Sequence, residues 1–138
     1  MAFYGTDIDD VQINNPEFVL YGGGGNDIIN TTNGSSFFAY GGIGNDSIFL
    51  NFTYVTAYMK AWGGQGDDVL YMPSAGSFFA GSDLYGDEGN DIIIAGKGAD
   101  HLEGGSGVDA LYGGMEDDVI YGGGQNDQGY LPVGRAVS

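Results

Sequence analysis

The apolar residues of this chain come in short bursts instead of continuous stripes. Triplets such as Ile92-Ile93-Ile94, Ala110-Leu111-Tyr112 and Val119-Ile120-Tyr121 recur at multiples of nine residues, with Gly, Asp and Asn between them. A burst of three is too short for a helical face, and glycine-rich punctuation favours turns, so the pattern predicts short strands joined by tight turns. The middle side chain of each triplet should face the opposite way from its two neighbours.

Five nonapeptides run without a gap: GDEGNDIII (86–94), AGKGADHLE (95–103), GGSGVDALY (104–112), GGMEDDVIY (113–121) and GGGQNDQGY (122–130). Three more stand apart, GGGGNDIIN (22–30), GGIGNDSIF (41–49) and GGQGDDVLY (63–71), and GTDIDDVQI (5–13) is a degenerate copy. The shared pattern is GGxGxDxUx with U apolar, and it weakens where Glu116 and Gln125 replace the fourth glycine and Gly129 the apolar residue. A short fixed period of this kind points to a solenoid, in which each repeat buries its apolar side on its neighbours.

The upstream gaps become regular when compared with two repeats. Copies starting at 5, 22, 41, 63, 86, 104 and 122 lie 17, 19, 22, 23, 18 and 18 residues apart, so they read as successive turns of one coil. Their flanks align into ladders. Tyr4, Tyr21, Tyr40, Trp62, Tyr85, Glu103 and Tyr121 precede the loops, and Phe3, Leu20, Ala39, Ala61, Leu84, Leu102 and Ile120 stand one position earlier. Ile29, Ile48, Leu70, Ile93 and Leu111 hold the apolar position after them. Alternation sends the last two sets into a thin core and the aromatic set outward. The opposite edge has good loops only at 95 and 113. Its longer segments, 31–40, 50–62 and 72–85, carry Ser36-Phe37-Phe38 and Ser77-Phe78-Phe79, whose apolar contact is expected to stand in for metal.

Composition adds the chemistry. There are 28 Gly against 3 Pro, and 19 acids against 3 bases give a net charge of −16. A compact state so charged repels itself unless a cation neutralises it. Hard Ca²⁺ takes oxygen ligands from backbone and carboxylate alike, and a glycine-rich turn closed by Asp offers both. The candidate carboxylates are Asp10, Asp27, Asp46, Asp68, Asp91, Asp100, Asp109, Asp118 and Asp127. Their ordinary alternative is a solvated acid in a turn. With Lys60, Lys97 and Arg135 as the only bases, nucleic acid is excluded as a partner. The start of the chain lacks a cleavable leader and no stretch approaches membrane-spanning length, so membrane insertion is not expected. There is no Cys, so no disulfide holds the chain. The glycines match neither the phosphate-binding loop nor the dinucleotide fingerprint, EF-hand spacing fails, and His101 is a lone outward histidine, so no enzyme is expected.

The eight clearer nonapeptides, over roughly residues 22–130, resemble the RTX, or haemolysin-type calcium-binding, repeat family. The resemblance implies an all-β, right-handed parallel β-roll (β-solenoid), here of about seven coils with calcium between stacked loops. It also implies that loop carbonyls near the second and fourth positions share each ion with the Asp. Those positions are Gly23, Gly25, Gly42, Gly44, Gly64, Gly66, Asp87, Gly89, Gly96, Gly98, Gly105, Gly107, Gly114 and Gly123. Several ions are expected, about six along one edge and about one on the other. Residues 1–138 read as one domain, with 1–21 a degenerate first coil and 131–138 a tail. The resulting expectation is a secreted or cell-surface, non-catalytic structural protein, exported by a type I-like route. It folds on binding Ca²⁺ and associates with itself head to tail into a filament, layer or matrix. The alternative is a calcium-triggered folding and secretion appendage of a type I-secreted enzyme or toxin, although the tail lacks the acidic-then-apolar ending common in that family.

Overall fold

The computed structural model describes residues 2–8, 11–13, 19–32, 37–51, 58–72, 81–124 and 126–130. Asp10, Ser77-Phe78-Phe79 and the tail 131–138 lie outside them. The described residues form strands and no helix, and the strands fall alternately into two parallel sheets of seven. The first sheet contains β1 (Ala2–Tyr4), β3 (Val19–Gly24), β5 (Phe37–Ile43), β7 (Met59–Gln65), β9 (Ser82–Glu88), β11 (His101–Ser106) and β13 (Val119–Gly123). The second contains β2 (Val11–Ile13), β4 (Ile28–Thr32), β6 (Ser47–Asn51), β8 (Val69–Tyr71), β10 (Ile92–Ile94), β12 (Ala110–Tyr112) and β14 (Gln128–Tyr130). Each coil gives one strand to each sheet, which makes the fold a β-solenoid.

The register is the one that the ladders predict. Tyr4, Tyr21, Tyr40, Trp62, Tyr85, Glu103 and Tyr121 are successive partners across the first sheet. Ile29, Ile48, Leu70, Ile93 and Leu111 are partners across the second. Both inward columns are closed to solvent, Leu20, Ala39, Ala61, Leu84 and Leu102 from one sheet and the Ile/Leu set from the other. Pleating alone produces this, because a one-residue slip would turn every apolar side chain outward.

The outward column stacks. Tyr4 to Tyr21, Tyr21 to Tyr40, Tyr40 to Trp62 and Trp62 to Tyr85 have ring centroids 4.9, 4.8, 4.5 and 5.5 Å apart with planes within 9°. The stack stops at Glu103. Beyond it His101 sits edge-on between Tyr85 and Tyr121, at 5.8 and 5.5 Å. Beside the stack, Lys60 Nζ binds Asp83 Oδ2 at 2.8 Å, and although burial works against it, that ammonium holds the Asp83 carboxyl below its usual range.

Two expectations are corrected. The glycine-rich stretch before each Asp reads as turn throughout, but Gly22-Gly23-Gly24 and their equivalents prolong the first-sheet strands β3, β5 and β7, so after these strands the chain turns at positions four to six. Phe38 does not fill the opposite edge. It lies on the outer face, 36% exposed, with its ring 6.4 Å from Trp62. Among the described residues, Leu50, Met59, Met72 and Ala95 are the apolar side chains buried at that edge.

Candidate metal centre

The acids at the sixth repeat position are buried instead of solvated. Asp27, Asp46, Asp68, Asp91 and Asp109 on one edge, and Asp100 and Asp118 on the other, are each at most 2% exposed. Each described turn that begins with glycine folds its carboxyl back under that glycine. A Cβ on Gly41 would collide with Asp46 Oδ2 and with the carbonyl oxygen of Gly63 one coil on, and Gly63, Gly86 and Gly104 repeat the arrangement. Glycine at position one is therefore a matter of space. At positions two and four it is a matter of backbone: Gly42 and Gly44 have φ of 120° and 126°, a region that L side chains rarely adopt. Gly96 alone of the predicted glycines is not in that region, and Asp87 and Glu116 enter it at φ 78° and 79° without being glycine.

One oxygen of each carboxyl is committed to the fold. Asp46, Asp68, Asp91 and Asp109 accept through Oδ1 from the backbone N–H of the Asp one coil upstream, at 2.7 to 2.8 Å. Asp127 accepts likewise from Asp109 at 3.0 Å, and is half-buried. On the opposite edge Asp118 accepts from Asp100 at 2.9 Å, and Asp100 from both the N–H and the hydroxyl of Ser82. A second ladder runs outside the first in the reverse sense. Asn26, Asn45, Asp67 and Asn90 each accept, through Oδ1, from the backbone N–H one coil downstream, at 2.8 to 3.0 Å. The turns at Asp46, Asp68, Asp91 and Asp109 are thus clasped from both neighbours.

The other oxygen is not committed. Oδ2 of Asp46, Asp68, Asp91, Asp100, Asp109 and Asp118 is buried without a hydrogen-bond partner. Withdrawal from water pushes the carboxyls of Asp46 and Asp91 up to about 6 and those of Asp68 and Asp100 up to about 7, and raises Asp109 and Asp118 as well. Neighbouring acids add to this, Asp46 and Asp91 for Asp68, and Asp117 and Glu116 for Asp118. Buried carboxylates without a counter-charge are costly, so this row of oxygens asks for a cation.

The donor set identifies which kind. Among the described residues no three His, Cys, Asp or Glu side chains gather as a metal group. Each turn instead sets one carboxylate beside backbone carbonyls, an all-oxygen set without nitrogen or sulfur, and that suits a hard ion such as Ca²⁺. A family model for the RTX calcium-binding nonapeptide repeat matches the chain in four copies, over residues 19–38, 61–71, 85–118 and 116–130, more than half its length. The chain belongs to the RTX calcium-binding repeat family. Comparison with curated proteins and with solved structures gave no match. The RTX turns set the predicted carboxylates of the described residues in two rows, Asp27, Asp46, Asp68, Asp91, Asp109 and Asp127 on one edge and Asp100 and Asp118 on the other. They also place the first-position carbonyls of Gly41, Gly63, Gly86, Gly104 and Gly122 against the carboxyl or first glycine of the preceding coil. The repeat pattern names those glycines but not their carbonyls.

Proposed function

We propose that this RTX chain is a non-catalytic calcium-binding protein of the cell exterior that folds on binding Ca²⁺ and serves a structural role, associating with itself head to tail. The observation that carries the reading is the row of buried Oδ2 atoms from Asp46 to Asp118 without partners. Asp27, Asp46, Asp68, Asp91 and Asp109 would hold the ions along one edge, each with carbonyls of its own and the next turn, and Asp100 and Asp118 would do so on the other. Asp10 and Asp127 are proposed as end ligands on the repeat pattern. Bound there, Ca²⁺ would supply the positive charge that lets these carboxylates ionise out of water. With one carboxylate per turn, affinities of about 10⁻⁴ to 10⁻³ M fit the ligand charge, a range suited to calcium-rich surroundings outside cells.

Self-association is supported by the sheet ends. Among the described residues β1, β2, β13 and β14 each pair on one side only, and free parallel edges invite further strands. Electron microscopy of the full chain tests this. The reading expects elongated assemblies in calcium that disperse in chelator, and small uniform particles in both would overturn it. The same buried carboxylates support a second reading, a calcium-triggered folding module attached to a type I-secreted enzyme or toxin. A catalytic domain encoded in the same reading frame would favour that one.

A further inference from the structure

The two edges of the solenoid are not built alike, and the opposite edge changes along the chain. Registers there align Leu50, Met72, Ala95 and Gly113 at the first repeat position. They align Met59, Ser82, Asp100 and Asp118 at the sixth. Coil by coil the pair therefore reads Leu50 with Met59, Met72 with Ser82, Ala95 with Asp100, and Gly113 with Asp118. Leu50, Met59 and Met72 are at most 5% exposed, so side chains fill the place that a carboxylate turn occupies downstream. The outer face changes in the same direction. The aromatic stack holds from Tyr4 to Tyr85 and is broken by Glu103.

We infer that the chain orders in two stages, β5 to β8 becoming protected at calcium concentrations that leave β11 to β13 open. This rests on the calcium-driven folding proposed above. In a solenoid each coil touches only its neighbours, so stability is local and different stretches can order separately. Around β5 to β8 one edge carries buried carboxylates while Leu50, Met59 and Met72 lie buried at the other, and stacked rings bridge the strands. Around β11 to β13 both edges carry a buried carboxyl with a partnerless oxygen, Asp109 on one and Asp100 and Asp118 on the other. The downstream coils must therefore neutralise two edges before they close.

Hydrogen exchange of the full chain, read strand by strand through a calcium titration at neutral pH, tests this. The half-protection point of β5 to β8 is expected at a calcium concentration about tenfold below that of β11 to β13, equivalent to roughly 1.4 kcal/mol. In Met72→Ala the β6 and β8 points should move up toward the downstream value while β11 to β13 stay put. A single point for all strands, or earlier protection of β11 to β13, overturns the inference. Full protection of every strand in chelator overturns calcium-driven folding itself, and the two failures are told apart by the zero-calcium sample.

Discussion

The backbone N–H of Asp46 donates to Asp68 Oδ1 at 2.7 Å, and the other oxygen of that Asp68 carboxyl is buried with no partner. One side chain thus carries two roles, and substitution separates them. Asp68→Asn keeps an acceptor for Asp46 and removes the charge, whereas Asp68→Ala removes both. Both variants should need more calcium to reach the folded signal of Trp62 fluorescence. In saturating calcium Asp68→Ala should also lose about 1–3 kcal/mol in denaturant melts, because Asp46 N–H is orphaned. If Asp68→Asn titrates like the unaltered chain, the carboxylate charge is not used.

Acid should replace calcium in part. Asp46 and Asp91 rise to about 6 and Asp68 and Asp100 to about 7, from an ordinary 3.8, so the folded chain holds protons that the unfolded chain has released. Their contribution to stability is full below about pH 4 and is lost as pH rises through 6 to 7. In chelator, circular dichroism should therefore show strand near pH 4 and lose it by about pH 8. With calcium present the dependence reverses, since bound ions need the deprotonated form, and the calcium midpoint should climb on acidification. An apo spectrum independent of pH would contradict both statements.

The register of both sheets could be read from the chain because parity leaves no freedom. Once Leu20, Ala39 and Ala61 are inward, Tyr21, Tyr40 and Trp62 must be outward. The same parity puts Phe38 outward beside Ala39, which keeps its ring off the opposite edge. What could not be read was which residues of the long segments 50–62 and 72–85 rejoin the sheets. Spacings of 22 and 23 locate the next loop but not Leu50, Met59 or Met72. The outer Asn26–Asn90 ladder was hidden for another reason: Asn and Asp are common in turns, and only the stacking distance shows that they bond between coils.

Asp87→Gly should stabilise the folded form. Asp87 takes φ 78° where its register partners Gly64 and Gly105 are glycine. Burial raises its carboxyl, and Glu103 and Glu88 add to the rise. Relief of left-handed strain is worth about 1 kcal/mol in denaturant melts at saturating calcium. The reverse experiment, Gly44→Ala, places a methyl against the Gly25 carbonyl at φ 126° and should cost more than that. Equal stability of Asp87→Gly and the unaltered chain would mean that the Asp side chain compensates its own strain.

Trp62 lies between Tyr40 and Tyr85, at 4.5 and 5.5 Å. Trp62→Ala removes two stacked contacts at about 0.5–1.5 kcal/mol each beyond the buried area. The calcium midpoint, followed by circular dichroism, should rise while the number of ions bound, counted by native mass spectrometry, stays the same. A fall in that number would place the ring's influence at the metal turns themselves.

Far-UV circular dichroism of the full chain through a calcium titration at neutral pH bears most directly on the central claim, that partnerless Asp carboxylates make this fold conditional on calcium. The account predicts a disordered spectrum in chelator that converts to strand as calcium rises and reverts when chelator is restored. A strand-rich spectrum in chelator that calcium leaves unchanged would contradict it.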